Sequence, residues 1–247
     1  MKNFELFIEL LRTLLGYCAV GLAGLLFLVP AMVLIIIMPA HKRQNSKIIS
    51  FLLYLFYWSC VRATFCPVKI VGKENILHEP AIIASNHQSA LDIPVIGSLF
   101  NRSPTIWFVL DYYAHRSWYG FFIRRMAIPI SRKDPHEAAR AVIRAIRFLV
   151  ENPMNLIIFP EGARHIDKKV HDFFKGFAII AKRTKMPVTP VYMPNNGKIY
   201  PPNSFFLHPC TICVVIGKPL YYREDDTEET FTQRVYTWFL DQHAHYD

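Results

Sequence analysis

Residues 81–92 read Ala-Ile-Ile-Ala-Ser-Asn-His-Gln-Ser-Ala-Leu-Asp, and they predict a short buried strand, a polar turn and the start of a helix. Ser85 and Asn86 follow the apolar run and favour turns and helix caps. His87 and Asp92 are a candidate general base and its orienting carboxylate. Because positions i and i+5 do not share a face of a straight helix, the two side chains meet only if the chain bends between them. Spacing alone is equally compatible with a surface histidine beside an unrelated aspartate.

The composition is apolar and basic. Of the 247 residues, 52% are hydrophobic and 19% are charged, and the net charge is +9. A basic, apolar chain favours a negatively charged partner, either an anionic membrane surface or nucleic acid. The five cysteines, an odd number scattered along the chain, favour free thiols in a reducing compartment over a disulfide framework.

Residues 1–72 predict an N-terminal membrane anchor with two apolar helical runs, 14–40 and 48–61. No charged residue occurs between Thr13 and Ala40, and this run is long enough for a transmembrane helix of about 20 residues. Pro30 predicts a kink or a re-entrant arrangement. The second run, of about 14 residues, is short for a span and suits an interfacial helix.

The basic loop 41–47 predicts that the anchor presents this loop to the cytoplasmic side. A single span and a helical hairpin in the inner leaflet both satisfy this, and the sequence does not choose between them. A cleaved signal peptide is disfavoured because the first run is too long and lacks a clear cleavage site. Two core helices of a soluble fold are disfavoured by the unbroken apolarity of that run.

Residues 73–247 alternate short β-branched runs with amphipathic helical patterns, which predicts an α/β domain with a mostly parallel sheet flanked by helices. One helix start is especially clear, since Asp134 is a predicted N-cap, Pro135 the first helical residue and Glu137 the partner in a capping box. The predicted strands are 68–71, 81–84, 105–110, 127–130, 155–159, 187–193 and 211–216. The predicted helices are 93–100, 116–126, 135–150, 173–182 and 226–243.

Polar residues follow several of these strands. They comprise Asn86-His87, Ser131-Arg132 and Glu161-Gly162-Ala163-Arg164, with Lys175 nearby. Ligands of open α/β sheets bind outside the carboxyl ends of the strands, so these groups are predicted to converge on one cleft. Arginine holds phosphate bidentately. A base beside a phosphate clamp, next to a membrane, predicts chemistry on a phosphorylated lipid.

These residues resemble the motifs of the glycerolipid acyltransferase family. Residues 86–92 resemble its His-x4-Asp motif, and Phe159-Pro-Glu-Gly-Ala-Arg164 resembles its third motif, with Ala163 in place of the usual threonine. Gly120 with Ile130-Ser-Arg132 resembles the second motif, and residues 186–191 resemble the fourth. The resemblance covers residues 70–220 in order.

The resemblance implies that His87 takes the proton from the sn-2 hydroxyl of 1-acyl-glycerol-3-phosphate as it attacks an acyl thioester, and that Asp92 orients the imidazole. It implies that the phosphate site comprises Arg132, Glu161, Gly162, Arg164 and Lys175. The acyl donor is acyl-CoA or acyl carrier protein, and neither a metal nor a further cofactor is expected. The expected product is phosphatidic acid, made at the cytoplasmic face of the membrane.

Other functions fit parts of the sequence. The acceptor could be another lysophospholipid or a lyso-aminolipid, and a non-catalytic lipid-binding protein is disfavoured because a scaffold needs no base. Cys210 and Cys213 form a Cys-x-x-Cys, but residues i and i+3 of a strand point to opposite faces, which disfavours a metal or redox site. No nucleic-acid motif accompanies the basic residues, so a nucleic-acid partner is not expected.

Overall fold

The computed structural model describes residues 2–165, 167 and 169–246. The chain forms two compact units, each assembled from separated stretches. The first unit contains the chain up to Lys69, Gln88–Pro104 and Met193–Val214. The second contains Ile70–His87, Thr105–Tyr192 and the chain from Val215 onwards.

The described residues contain a seven-stranded sheet with the order β1-β7-β6-β2-β5-β3-β4. The strands are β1 (Val68–Val71), β2 (Ile82–Ser85), β3 (Thr105–Leu110), β4 (Ala127–Ile130), β5 (Asn155–Ile158), β6 (Val188–Tyr192) and β7 (Ile212–Ile216). β2 pairs in parallel with β5 and β6, and β3 pairs in parallel with β5 and β4. β6 and β7 are antiparallel. The predicted α/β fold with a mostly parallel sheet is therefore confirmed.

The strand that leads to His87 is the central one. β2 is the fourth strand of the seven, and all four of its residues are buried. Its run of Ile, Ile and Ala is the apolar pattern that a parallel strand covered on both faces requires. The register pairs Ile82 with Leu156 of β5 on one side and with Val188 of β6 on the other. The strand that leads to His87 thus occupies the middle of the sheet.

Helices flank the sheet and form the N-terminal region. They are α1 (Lys2–Ala23), α2 (Val29–Ile37), α3 (Ala40–Arg43), α4 (Lys47–Arg62), α5 (Asp92–Phe100), α6 (Asp111–Ala114), α7 (Ser117–Met126), α8 (Pro135–Glu151), α9 (Gly176–Thr184), α10 (Asn196–Ile199) and α11 (Glu228–Tyr246). Buried aromatic and aliphatic side chains from α9 and α11, including Phe177, Ile180, Phe231 and Phe239, build part of the core of the second unit.

The first apolar run forms one long helix interrupted by a π-helical turn. α1 passes through a π-helical turn at Gly24–Leu28 into α2, and Pro30, which has no N–H to donate to the preceding turn, lies directly after this change of helix type. Among the described residues, Glu5–Ile37 is the one helix long and apolar enough to cross a membrane by length and composition. Its large apolar side chains are mostly exposed.

The second apolar run forms α4, which is capped by the Ser46 hydroxyl accepting from the Ile49 N–H. Arg12 of α1 donates to the Thr64 carbonyl just after α4, at 3.0 Å from Nε and 2.5 Å from Nη2. Gly16 permits this approach, because a Cβ there would lie 2.7 Å from the carbonyl oxygen of Ala63. The two helices therefore pack closely within the first unit.

Two local predictions were wrong. The helix expected over 173–182 begins only at Gly176, because the backbone N–H of Phe174 donates to the Pro160 carbonyl at 2.8 Å and so holds this segment extended. The capping box before α8 is half formed. Asp134 accepts from the N–H groups of residues 136 and 137, whereas the Glu137 carboxylate pairs with Arg140 at 2.5 Å.

Candidate active site

Three of the neighbouring parallel strands, β2, β4 and β5, carry at their carboxyl ends the polar residues that the sequence singled out. β2 and β5 run in parallel, so the turn after Ser85 and the loop after Ile158 leave the sheet at the same edge. β3 lies next to β5, and β4 lies next to β3. Ser131-Arg132 follows β4 directly. In the second unit, the sheet topology therefore places His87, residues 161–164 and Arg132 at one edge, as the sequence predicted.

His87 is held by contacts from the loop that follows β5. Its half-buried imidazole stacks on the Phe159 ring, with ring centroids 4.0 Å apart and planes inclined by 13°. Its backbone N–H donates to Glu161 Oε1 at 3.2 Å, and its carbonyl accepts from the N–H of His165 at 2.9 Å. Aromatic packing and two backbone hydrogen bonds thus fix the position of the candidate base.

Glu161 organises the backbone at this edge. Its side chain is 8% exposed, and its second oxygen, Oε2, accepts from the N–H of His171 at 3.2 Å. Gly162 has a φ of 70°, in the left-handed region that favours glycine, and its N–H closes a turn onto the Phe159 carbonyl. The Glu-Gly pair therefore shapes the loop so that it meets the turn carrying His87.

The predicted phosphate-binding cations differ in their surroundings. Arg164 is exposed, and its Nη2 donates to the hydroxyl of Tyr113 at 3.2 Å. Arg132 is also exposed. Lys175 forms an ion pair with Glu229 at 2.8 Å, so phosphate binding by this lysine requires that pair to open.

Asp92 belongs to the first unit and begins α5. Its side chain is 1% exposed. Oδ2 accepts from the backbone N–H groups of Gln88 at 2.7 Å and Ser89 at 2.8 Å, and Oδ1 accepts from the side-chain amide of Asn196 at 2.9 Å. The chain therefore folds back around this carboxylate between Gln88 and Asp92.

Ser89 has a structural role. Its buried hydroxyl donates to the carbonyl of Tyr200 at 2.6 Å and accepts from the N–H of Leu91 at 3.1 Å. A hydroxyl engaged in this way supports the turn and is poorly placed to act as a nucleophile.

His165, Asp167 and His171 form a cluster whose potential metal-ligand atoms lie within 4.8 Å of one another. The two imidazoles stack, with centroids 3.6 Å apart and planes inclined by 18°, and His171 Nε2 contacts the Asp167 carboxylate at 2.9 Å. Nitrogen lone pairs lie in the ring planes, so an ion in the plane of one stacked ring lies outside the plane of the other. The observed arrangement suits a brace within the loop better than a coordination site.

The environment of His165 disfavours its charged form. Burial, together with the nearby positive charges of His171 and Arg132, holds the pKa of His165 below its ordinary value of 6.5. Hydrogen bonding to the backbone of Glu161 and the charge of Asp167 act in the opposite direction but are outweighed.

Sequence reasoning missed several residues of this region. Asn196 lies more than a hundred residues from Asp92, and only the paired Asn195-Asn196 before Gly197, a typical turn sequence, marked its position. Tyr113 is an aromatic residue next to a strand, a pattern that usually indicates core packing, and Phe159 was noted only as the first residue of the third motif, without a contact to His87. His171 carried no motif.

Comparison with known proteins places the chain in a family. A family model described as acyltransferase matches residues 67–194, just over half of the chain. The chain belongs to the acyltransferase family. The predicted resemblance to glycerolipid acyltransferases is thus confirmed at the level of the family.

Similar members of the acyltransferase family are named for one activity. A chloroplastic 1-acyl-sn-glycerol-3-phosphate acyltransferase of Brassica napus is 32% identical over 89% of this chain and 64% of its own length. The chain thus spans less than two thirds of that plant relative. A 1-acyl-sn-glycerol-3-phosphate acyltransferase of Pseudomonas aeruginosa is 24% identical over 87% of this chain and 82% of its own length.

A solved structure from the acyltransferase family has the same fold. The crystal structure of the 1-acyl-sn-glycerophosphate acyltransferase PlsC from Thermotoga maritima matches with a TM-score of 0.75 and 23% identity, covering 97% of each chain. The likeness includes the N-terminal helices, since it extends over nearly the whole chain.

Proposed function

We propose that this protein transfers an acyl chain from a thioester, either acyl-CoA or acyl carrier protein, to the sn-2 hydroxyl of 1-acyl-glycerol-3-phosphate, giving phosphatidic acid. The observation that carries the proposal is the placement of His87 at the end of the central strand, tied by two backbone hydrogen bonds to the loop that bears Arg164. The activity for which the Brassica and Pseudomonas relatives are named supports the same reaction.

In this mechanism His87 is the general base. It removes the proton from the sn-2 hydroxyl while the oxygen attacks the thioester carbonyl, which forms a tetrahedral intermediate with a negatively charged oxygen. The intermediate collapses by breaking the carbon–sulfur bond, and the departing thiolate takes the proton from the imidazolium. Asp92 fixes the tautomer of His87 and stabilises the imidazolium. The lipid hydroxyl is the nucleophile, so no acyl-enzyme is needed, in keeping with the structural role of Ser89.

The acceptor phosphate is assigned to the arginines. Arg164 and Arg132 are exposed at the edge where His87 lies, and their forked donors suit a phosphate. Lys175 joins them when its ion pair with Glu229 opens. Glu161 and Gly162 contribute by shaping the loop that carries Arg164, since both carboxylate oxygens of Glu161 already accept backbone N–H groups.

The N-terminal residues 1–72 supply the membrane anchor in this proposal. The apolar helix Glu5–Ile37 and the net charge of +9 suit an anionic bilayer, which also holds the lipid acceptor. The cytoplasmic face is assigned from the basic loop 41–47, because acyl thioesters are supplied there. No metal and no cofactor beyond the thioester is assigned to the reaction.

The test is an acceptor panel. The full chain is purified in detergent and incubated with acyl-CoA or acyl carrier protein and with 1-acyl-glycerol-3-phosphate, lysophosphatidylcholine or lysophosphatidylethanolamine, and the products are identified by mass spectrometry. We expect phosphatidic acid as the main product of the wild type and no phosphatidic acid from the His87→Gln variant. Faster acylation of a zwitterionic acceptor would reassign the acceptor, and no acyl transfer with any acceptor would overturn the proposal.

A further inference from the structure

The carboxylate of Asp92 has hydrogen-bond donors on both of its oxygens. The two backbone donors, from Gln88 and Ser89, both meet Oδ2, and the side-chain amide of Asn196 meets Oδ1 at 2.9 Å. The terminal torsion of a free carboxyl group is broad and soft, so donors on both oxygens restrict its rotation more than donors on one oxygen. Asn196 adds a side-chain donor on Oδ1 to the two backbone donors on Oδ2.

The orientation of the Asn196 amide follows from the chemistry of its neighbour. An ionised carboxylate can only accept hydrogen bonds, so the amide nitrogen must face Asp92. The same nitrogen lies 3.3 Å from the sulfur of Met193. Asn196 is fully buried, and its Oδ1 has no hydrogen-bond partner among the described residues. Burying the amide oxygen of Asn196 without a hydrogen-bond partner costs free energy. An apolar side chain would fill the same space without that cost, so the hydrogen bond to Asp92 is the reason for an asparagine here.

The segment that carries Asn196 makes a second hydrogen bond to residues 88–92. The carbonyl of Tyr200, just after α10, accepts from the Ser89 hydroxyl at 2.6 Å. The short helix α10 thus connects two hydrogen bonds, one to Asp92 and one to Ser89, and both end in the stretch 88–92. This segment lies directly after β6, outside the motifs from which the family resemblance was recognised.

We propose that Asn196 is a positioning residue for acyl transfer, whose amide holds the Asp92 carboxylate in the one rotation in which it orients the imidazole of His87. The inference rests on the proposed function, which assigns that orienting role to Asp92. The hydrogen bond is charge-assisted and buried, the class that contributes most to fixing geometry. Asn196 acts on the rate of the chemical step through Asp92 and makes no contact with the acceptor.

The first experiment replaces Asn196 by alanine. In the full chain in detergent, Asn196→Ala is expected to lower kcat by roughly ten- to a hundredfold, the range for losing a hydrogen bond to a charged group, with the KM for 1-acyl-glycerol-3-phosphate within about twofold. The matched control is Asn101→Ala. Asn101 is 2% exposed and ends the same helix that Asp92 begins, so its loss reports the effect of removing a buried asparagine on the fold alone.

The second experiment keeps the shape of the side chain and changes its protonation. In Asn196→Asp, the introduced carboxyl donates to Asp92 while it is protonated and repels it once it is ionised, and two carboxyl groups at hydrogen-bond distance share one proton. The variant is therefore expected to retain activity at low pH and to lose it as the pH rises, in a range where the wild type and Asn101→Ala keep theirs. A purely structural role for Asn196 would lower activity at high pH only together with the melting temperature, whereas a positioning role lowers activity while the melting temperature is retained.

The outcomes separate the two claims. The positioning role is wrong if Asn196→Ala keeps a wild-type kcat. It is also wrong if Asn196→Ala and Asn101→Ala lose activity and thermal stability equally and Asn196→Asp shows no extra loss of activity at high pH. If His87→Ala and Asp92→Asn are inactive in the same assays, that result leaves the proposed function intact. If His87→Ala or Asp92→Asn retains wild-type turnover, the proposed function itself fails. If Asn196→Ala does not fold, the pH profile of Asn196→Asp decides the question alone.

Discussion

Glu161 has both of its carboxylate oxygens occupied by backbone N–H groups, those of His87 and His171. A buried carboxylate repels a phosphate, so we infer that Glu161 acts through these two hydrogen bonds, which join the turn after β2 to the loop after β5. The resemblance implies that Glu161 belongs to the phosphate site, which stays a prediction, and the sequence could not reveal its backbone contacts because backbone partners leave no pattern in side-chain identity. The position of His87 and Arg164 at one edge of the sheet was predictable from the strands that precede them, and their roles stay predictions.

At the same scale, Arg164 is expected to bind the acceptor phosphate. Arg164→Ala should raise the KM for 1-acyl-glycerol-3-phosphate by about tenfold or more and leave kcat within about threefold, because a charge-assisted bidentate contact to the phosphate is lost before the chemical step. Steady-state kinetics measure this. Arg140→Ala, which removes an exposed arginine paired with Glu137 in α8, is the control and should change neither constant. An unchanged KM for 1-acyl-glycerol-3-phosphate in Arg164→Ala would show that Arg164 does not bind the acceptor phosphate.

The loop between β5 and α9 is the element that the sequence described least well. The strand before it, β5, was predictable from its run of apolar residues, and so was the helix that follows. The start of the helix was not, because the N–H of Phe174 is used by the Pro160 carbonyl rather than by a helical turn. Long-range backbone hydrogen bonds of this kind override local helix propensity and are invisible to periodicity.

This loop is expected to make stability depend on pH. The pKa of His165 lies below its value of 6.5 in the unfolded chain, so the unfolded state binds the proton first as the pH falls. The stabilising contribution of neutral His165 is fully present above about pH 6.5 and is lost as the pH falls through 6.5 toward the lower pKa of the folded state. His171, Arg132, Asp167 and Glu161 are the charged or titratable groups around it.

The measurement compares His165→Gln with the wild type by thermal unfolding across this range. The stability difference between the two proteins should shrink as the pH is lowered below about 6.5. His136→Gln, an exposed histidine in the first turn of α8, serves as the control for a histidine outside the loop. A difference between wild type and His165→Gln that stays constant with pH would show that the loop does not depend on neutral His165.

For the whole molecule, the sequence predicted the α/β sheet and the long apolar helix, and both are confirmed. The division into an anchor of residues 1–72 and an acyltransferase domain of 73–247 stays a prediction. The two compact units interleave along the chain, since the first also contains Gln88–Pro104 and Met193–Val214. Such long-range grouping depends on contacts like that of the Thr13 hydroxyl with the N–H of Leu207, which no local pattern encodes.

The long helix is expected to hold the protein in the membrane. Leu25 lies within Glu5–Ile37 and is 68% exposed, so Leu25→Arg places a charge on a surface that the lipid would cover, at a cost of about 2.5–3.5 kcal/mol. The variant should be extracted from membranes by alkaline carbonate more readily than the wild type. Val150→Arg alters an equally apolar and 62% exposed position on α8 and should not change extraction. Equal extraction of the Leu25 variant and the wild type would contradict membrane insertion of this helix.

The central claim is that His87 is the base of an acyl transfer. The most direct measurement is the turnover of purified His87→Ala with an acyl thioester and 1-acyl-glycerol-3-phosphate, beside His136→Ala as an exposed-histidine control and with the melting temperature of each. The expected result is a loss of at least about a hundredfold in kcat for His87→Ala, with wild-type turnover for the control and a retained fold in both. A folded His87→Ala variant whose turnover stays within a few-fold of the wild type would contradict the account.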